Sequence, residues 1–184
     1  CHGIPSEYEI LEEGDIINVD VTTILDGYYS DASRMFIIGK TSQENQKLVD
    51  VAKECLQIGM QAAKPYGFVG DIGYAIQQHC QAAGFSVVRE MVGHGVGRNM
   101  HEDPEVPNYG KRGQGLQLRE GMVIAIEPMI NMGNRGIVFE RDGWTIRTID
   151  RKPSAHFEHT IAIQKGDASI LSTFQYVEEV LSQK

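Results

Sequence analysis

Apolar and polar residues alternate through two runs, "IINVDVTTIL" and "YYSDASRMFI", separated by Asp26-Gly27. Period-two alternation on both sides of an Asp-Gly pair predicts a β-hairpin with a two-residue turn. Beyond it the period changes. Leu48, Val51, Ala52, Cys55, Leu56 and Met60 recur at helical spacing, which predicts an amphipathic helix. Thr41 and Glu44 stand at capping-box spacing before it, and Pro65-Tyr66-Gly67 ends it. A second helix is predicted from about Asp71 to Ala83, with Ile72, Ala75, Ile76 and His79 on one side and Gly84 as its stop. "FSVVREMV" reads as a strand and "GHGVGRNMHEDPEVPNYGKRGQG" as a loop. "GMVIAIEPMI", "WTIRTID" and "AHFEHTIAIQ" read as further strands. Helices between strand pairs, with no linker or low-complexity segment, predict one α+β domain: helices on one face of a largely antiparallel sheet.

Composition narrows the function classes. A length of 184 residues with 41% hydrophobic content suits one domain with a substantial core. The net charge of -8 argues against nucleic-acid binding, which wants a basic face. Cys1, Cys55 and Cys80 are too few for a disulfide framework and have no zinc spacing, so a reducing, cytoplasmic setting is expected. No apolar run reaches about 18 residues, so no membrane span is expected. The sequence opens on Cys1 rather than Met, and the expectation is that further polypeptide precedes it.

The hairpin carries two aspartates among apolar neighbours, Asp20 and Asp31. A two-residue turn sets Asp31 opposite Thr22, with Asp20 two residues along the same strand. A register slipped by two would set the aspartates face to face. In either case both emerge on one face, roughly 5–8 Å apart at Cβ. They repel unless a cation lies between them, or unless both face solvent on the polar side of the hairpin. Three further segments place polar residues in glycine-rich or apolar contexts: His94 and His101 in "GHGVGRNMHEDP", Glu127 in "MVIAIEPM" and Glu158 in "AHFEHTIAI". Each alone is also readable as a structural histidine or a solvent-facing strand residue. Together, carboxylates with one imidazole suit Mn, Fe(II), Co or Zn. Four carboxylates match two divalent ions, a pair that acidifies a shared water for hydrolysis. No G-x-S-x-G, HExxH or GxxxxGK[ST] occurs, and "GHGVG" lacks the full dinucleotide fingerprint.

The order and spacing of Asp20, Asp31, His94, Glu127 and Glu158 resemble those of the type I methionine aminopeptidases. "CHGIP", "NVDVTTILDGYYSDASRMF", "GHGVGRNMHEDPEVPNYG", "GMVIAIEPM" and "DGWTIRTIDRKPSAHFEHTI" carry the resemblance over most of the chain. It implies the pita-bread α+β fold of two pseudo-symmetric halves, here one catalytic domain over 1–184 with the first half shortened at its start. It implies a cytoplasmic hydrolase with two divalent ions (Co, Mn, Fe or Zn) that removes the initiator methionine of peptides and nascent proteins whose second residue is small. Asp20 and His94 would each hold one ion, Asp31 and Glu158 would bridge both, and Glu127 would bind the His94-side ion and carry protons. His101 would stabilise the tetrahedral intermediate and His2 would contact substrate. Met100 and Trp144 would surround the methionine side chain.

Other expected partners are the ribosome and an upstream segment of the same polypeptide; nucleic acid and membrane are not expected. Without that segment His2 would be unsupported, and residues 1–184 alone are expected not to be a competent enzyme. Aminopeptidase P and prolidase share the five ligands, but "GRNMHEDPEVPN" and "DGWTIRT" look more like the methionine enzymes. A non-catalytic pita-bread domain that binds protein partners or histones would be expected to have lost ligands.

Overall fold

The computed structural model describes residues 2–183, so Cys1 lies outside the described residues. The first elements are β1 (Ile16–Leu25) and β2 (Tyr28–Ile37), paired antiparallel with Thr22 opposite Asp31 and Asp20 opposite Ser33. This is the unslipped register. Asp26 and Gly27 both have positive φ, +52° and +80°. A type I′ turn demands that of its two central residues, and Asp and Gly meet the demand at low cost.

Two helices follow, α1 (Gln43–Ala62) and α2 (Val69–Ala82). The cap of α1 is Ser42 rather than Thr41: Ser42 Oγ accepts the Asn45 N–H at 3.1 Å, while the Thr41 hydroxyl donates to the Gly14 carbonyl. One hydroxyl serves the helix and the other ties it to the preceding loop. The buried stripe of α1 includes the predicted Leu48, Val51, Ala52, Cys55 and Leu56. On α2 the buried side is Ile72, Gly73, Ile76 and Cys80. The predicted His79 is instead half-exposed, with Nε2 2.6 Å from Glu54 Oε2 of α1.

Next come β3 (Ser86–Val87), β4 (Gly93–Gly95), β5 (Glu102–Val106), β6 (Val123–Ile126) and β7 (Met129–Asn131). The rest is β8 (Ile137–Phe139), β9 (Ile146–Thr148), β10 (Ser154–His156), β11 (Glu158–Ala162), β12 (Ser169–Ile170) and α3 (Gln175–Leu181). The seven-stranded antiparallel sheet runs β1-β2-β11-β6-β4-β5, with β12 also on β11. β10-β7-β3 and β8-β9 form smaller sheets.

Four sequence expectations are corrected here, the first being "AHFEHTIAIQ", which is not one strand but β10 and β11 in different sheets. The glycine-rich segment is not all loop, since it contains β4 and β5. Gly93 and Gly95 let the strands close: a Cβ on Gly93 would sit 2.3 Å from the Ala125 carbonyl oxygen. The predicted strand "FSVVREMV" is reduced to Ser86–Val87. "GMVIAIEPMI" is two strands in different sheets, split at Glu127-Pro128, because proline cannot donate to a ladder.

One hydrophobic cluster joins α1, α2 and the inner face of the large sheet. Ile124 and Ile126 of β6 and Ile161 of β11 belong to it. At the closest approach, Gly59 of α1 lies against Ile76 of α2 and Ile126. Leu48, Leu56, Ile72 and Ile76 are essentially solvent-free, so truncating one to alanine should cost about 2–5 kcal/mol. The alternation that turns Ile126 and Ile161 into this core turns Glu127, Glu158 and Thr160 to the other face.

Candidate metal centre

Five neighbouring strands of the large sheet each deliver one candidate ligand. In sheet order these are Asp20 on β1, Asp31 on β2, Glu158 at the start of β11, Glu127 immediately after β6 and His94 in the middle of β4. Side-chain donor atoms of Asp31, His94 and Glu158 all lie within 4.8 Å of one another, and all three residues are buried. Glu127 Oε1 is 3.5 Å from His94 Nε2. Asp20 stands at the exposed outer edge of the row.

Several contacts hold these side chains still. The Thr22 hydroxyl donates to Asp31 Oδ1 at 2.8 Å. Asp31 N–H donates to the Thr160 hydroxyl, which donates back to the Asp31 carbonyl, locking β2 against β11. Asn108 Nδ2 donates to the Glu127 carbonyl at 2.9 Å, just before Pro128 interrupts the strand. His94 Nδ1 is 2.9 Å from the Gly95 carbonyl, which can only accept, so Nδ1 carries the proton and Nε2 presents a lone pair.

The electrostatics are adverse for protein atoms alone. Burial first, then Glu127, Asp31 and Asp20, hold the Glu158 carboxyl well above the usual range. Burial pushes Glu127 up to about 7; His94 opposes this and Asp31 adds to it. Loss of hydration raises Asp20 as well, against the pull of His156 and with the help of Asp31 and Glu127. Glu158 Oε1 is buried with no hydrogen-bond partner among the described residues. His94 Nε2 faces a Glu127 carboxylate oxygen at 3.5 Å. A divalent cation would relieve these: it neutralises the carboxylates, fills the orphaned oxygen and is a ligand partner for both His94 Nε2 and the Glu127 oxygen. The donor set therefore fits a divalent metal.

The other predicted site residues ring this cluster. His101, exposed on the β4–β5 connection, has its ring edge-on to His94 with centroids 4.3 Å apart. Met100 precedes it and is half-buried. Trp144, in the β8–β9 turn, is 52% exposed and stacks on His2 with centroids 4.6 Å apart. His2 is held further by the Ile146 N–H, which donates to its carbonyl at 3.0 Å, so the expectation of an unsupported His2 is not met.

Sequence reasoning passed over His156. It is buried, its Nε2 is 3.4 Å from Glu127 Oε2, and burial pushes its ring down to about 4, hence neutral at pH 7. The available signal was its spacing, two residues before Glu158. Thr22, Thr160 and Asn108 were also missed as supports, and single hydroxyl and amide residues give no motif to read.

Residues 1–165 match the family model Metallopeptidase family M24. Methionine aminopeptidase A of Synechocystis sp. is 55% identical over 172 residues, covering 94% of this chain and 68% of that protein. Methionine aminopeptidase of Escherichia coli K12 is 45% identical, covering 94% and 65%. The crystal structure of methionine aminopeptidase from Rickettsia prowazekii superposes with a TM-score of 0.90 at 46% identity, covering 92% of this chain and 68% of that one. Prolidase from Pyrococcus furiosus shares the fold at 24% identity, with a TM-score of 0.71. The chain thus spans about two thirds of the length of the methionine aminopeptidases it matches. On the family match over 1–165 and the identity to these relatives, the chain belongs to metallopeptidase family M24, with the methionine aminopeptidases.

Proposed function

We propose that this site removes the initiator methionine from peptides and nascent proteins with a small second residue, using two divalent ions, each one of Co, Mn, Fe or Zn. The observation that carries the reading is the convergence of buried Asp31, His94 and Glu158 within 4.8 Å, with one Glu158 oxygen orphaned. Asp20 and His94 would each hold one ion, Asp31 and Glu158 would bridge them, and Glu127 would join the His94 side. Bound there, the ions would supply a Lewis acid and a water acidic enough to attack an amide at neutral pH.

The protein's own groups carry the rest. Glu127, whose carboxyl is held near neutral range, is matched to taking a proton from the attacking water and returning it to the departing amine. His101 donates a hydrogen bond to the carbonyl oxygen as negative charge develops on it. His2, stacked on Trp144, flanks the scissile amide, and Met100 and Trp144 supply soft, polarizable surface for a thioether. Steric exclusion beside the amide rejects large second residues. The setting is cytoplasmic, near the ribosome, consistent with no helix among the described residues being long and apolar enough to cross a membrane.

Cleavage of Met-Ala-Ser, Met-Lys-Ser and Ala-Pro-Ser by the full-length, Mn- or Co-loaded protein tests this. Release of methionine from the first alone is expected. Equal rates on the first two, or preference for the Xaa-Pro bond, would overturn the reading.

A further inference from the structure

His156 has no part in the chemistry above, yet it is buried, 5% exposed, at the end of β10. Its Nδ1 is 3.3 Å from Ser33 Oγ. Ser33 Oγ accepts from Asn18 Nδ2 at 2.6 Å, and the same nitrogen donates to the His156 carbonyl at 2.8 Å. These bonds, with what faces Nε2, set the ring's tautomer. The His156 carbonyl can only accept, which fixes the nitrogen end of the Asn18 amide. Asn18 therefore occupies one of the two lone pairs of the Ser33 hydroxyl, which can still meet Nδ1 as donor or as acceptor. Nε2 decides between these, because it faces a carboxylate oxygen, which suits a ring N–H and repels a ring lone pair, so the hydroxyl donates to Nδ1. With Nδ1 accepting, the neutral ring carries its proton on Nε2.

That Nε2–H is buried, lacks a formed hydrogen bond among the described residues, and faces Glu127 Oε2 at 3.4 Å. The distance is long for a hydrogen bond, as such contacts commonly are before substrate binds. The other oxygen, Oε1, faces His94. The two histidines thus stand at the two oxygens of one carboxylate, with opposite polarity: His94 offers a lone pair, His156 a proton.

We propose that His156 is a positioning residue for Glu127: its Nε2–H holds Oε2, so that Oε1 stays turned to His94. The proposal rests on the reading of Glu127 as a metal ligand and proton carrier. Without the donor, the carboxylate is free to rotate about its terminal torsion, and both its affinity for an ion and its aim at substrate are lost together. Ser33, itself held by Asn18, acts through the ring by donating to Nδ1.

The test uses the full-length protein and three readouts. Long-range proton–nitrogen correlation spectra identify which ring nitrogen of His156 is protonated. Calorimetric titration gives the Mn²⁺ affinity. Kinetics on Met-Ala-Ser give kcat and KM separately. The expected tautomer is Nε2-protonated, becoming mixed in Ser33→Ala. His156→Phe keeps the shape and deletes the donor. It should lose about 10–100-fold in Mn²⁺ affinity or kcat, the usual range for such supports, with KM changing less. His156→Gln, whose amide N–H can take the place of Nε2–H, should recover most of the loss.

An Nδ1-protonated ring would overturn the proposal. So would His156→Phe with undiminished Mn²⁺ affinity and kcat, or a folded His156→Gln no better than His156→Phe. Should His156→Phe fail to melt cooperatively, the tautomer and the Gln variant decide: near-normal kcat and affinity in Gln support the role, and a 10-fold or greater loss refutes it. A wild-type protein that binds Mn²⁺ but releases no methionine would refute the activity, while the tautomer and affinity arms still decide this inference.

Discussion

Glu158 and Asp31, in adjacent strands of the large sheet, are 2% and 4% exposed, whereas His101, on the β4–β5 connection of that sheet, and Trp144, in the turn of the separate β8-β9 sheet, are exposed. The inner pair is costly for a protein to build. Buried like charges and an orphaned oxygen cost several kcal/mol unless something compensates. The outer pair costs almost nothing, and exposed aromatic rings need no explanation on their own. The difference teaches where chemistry can be inferred from physics: the buried carboxylates demand a cation, while the margin only permits a substrate.

Deleting an inner ligand should have the largest effect. Glu158→Ala is expected to lower kcat/KM on Met-Ala-Ser by on the order of 10³-fold or more, because it removes a bridge rather than a contact. A loss under about tenfold would place the reaction elsewhere. At the margin, His101→Ala should cut kcat by roughly 10²–10⁴ with metal stoichiometry unchanged. If the ions are lost as well, His101 belongs with the inner set and the contrast fails. Smaller again is Thr22→Val, which frees Asp31 Oδ1 from its only hydroxyl donor among the contacts described. Metal affinity should fall about 10–100-fold and turnover at saturating metal should recover; unchanged affinity in a calorimetric titration would remove Thr22 from the account.

The smallest effect is on stability. Glu127 is raised from its ordinary range to about 7, and Glu158 is raised in the same sense. A carboxyl raised on folding means that the native state binds more protons than the unfolded one across that window. Stability of the chelated protein therefore falls as pH rises from about 4.5 towards 7. Saturating Mn²⁺, which takes the protons' place, should flatten the profile. Thermal melts in chelator and in metal across that range check it, and a chelated profile that rises with pH would contradict the raised carboxyls.

The inner set was legible in the sequence because its residues violate their contexts. Glu127 ends an apolar run, Asp20 and Asp31 interrupt alternating strands, and His94 lies between glycines. Of the two hairpin registers left open by the sequence, the structure has the one that a two-residue Asp-Gly turn sets, with Thr22 opposite Asp31. What stayed hidden has physical reasons. β4 and β5 read as loop because Gly93 and Gly95 carry no side chain to show a period; their absence of Cβ is what lets the strands approach. His156 alternates in phase with Glu158, but the two belong to different sheets, β10 and β11, so the strand pattern masks a site residue. β8 was missed because it is only three residues, Ile137–Phe139, too short to show a period, and α3 because it has no buried residue at all. The N-cap shifted by one position because two adjacent hydroxyl residues, Thr41 and Ser42, could each serve.

On this reading the sheet's buried carboxylates exist to hold cations. Equilibrium dialysis of the full-length protein against Mn²⁺, with bound ions counted by elemental analysis in wild type and Glu158→Ala, tests it most directly. Two ions per wild-type chain and at most one in the variant is the predicted result. No bound Mn²⁺ in the folded wild type, or the same count in both proteins, would contradict it.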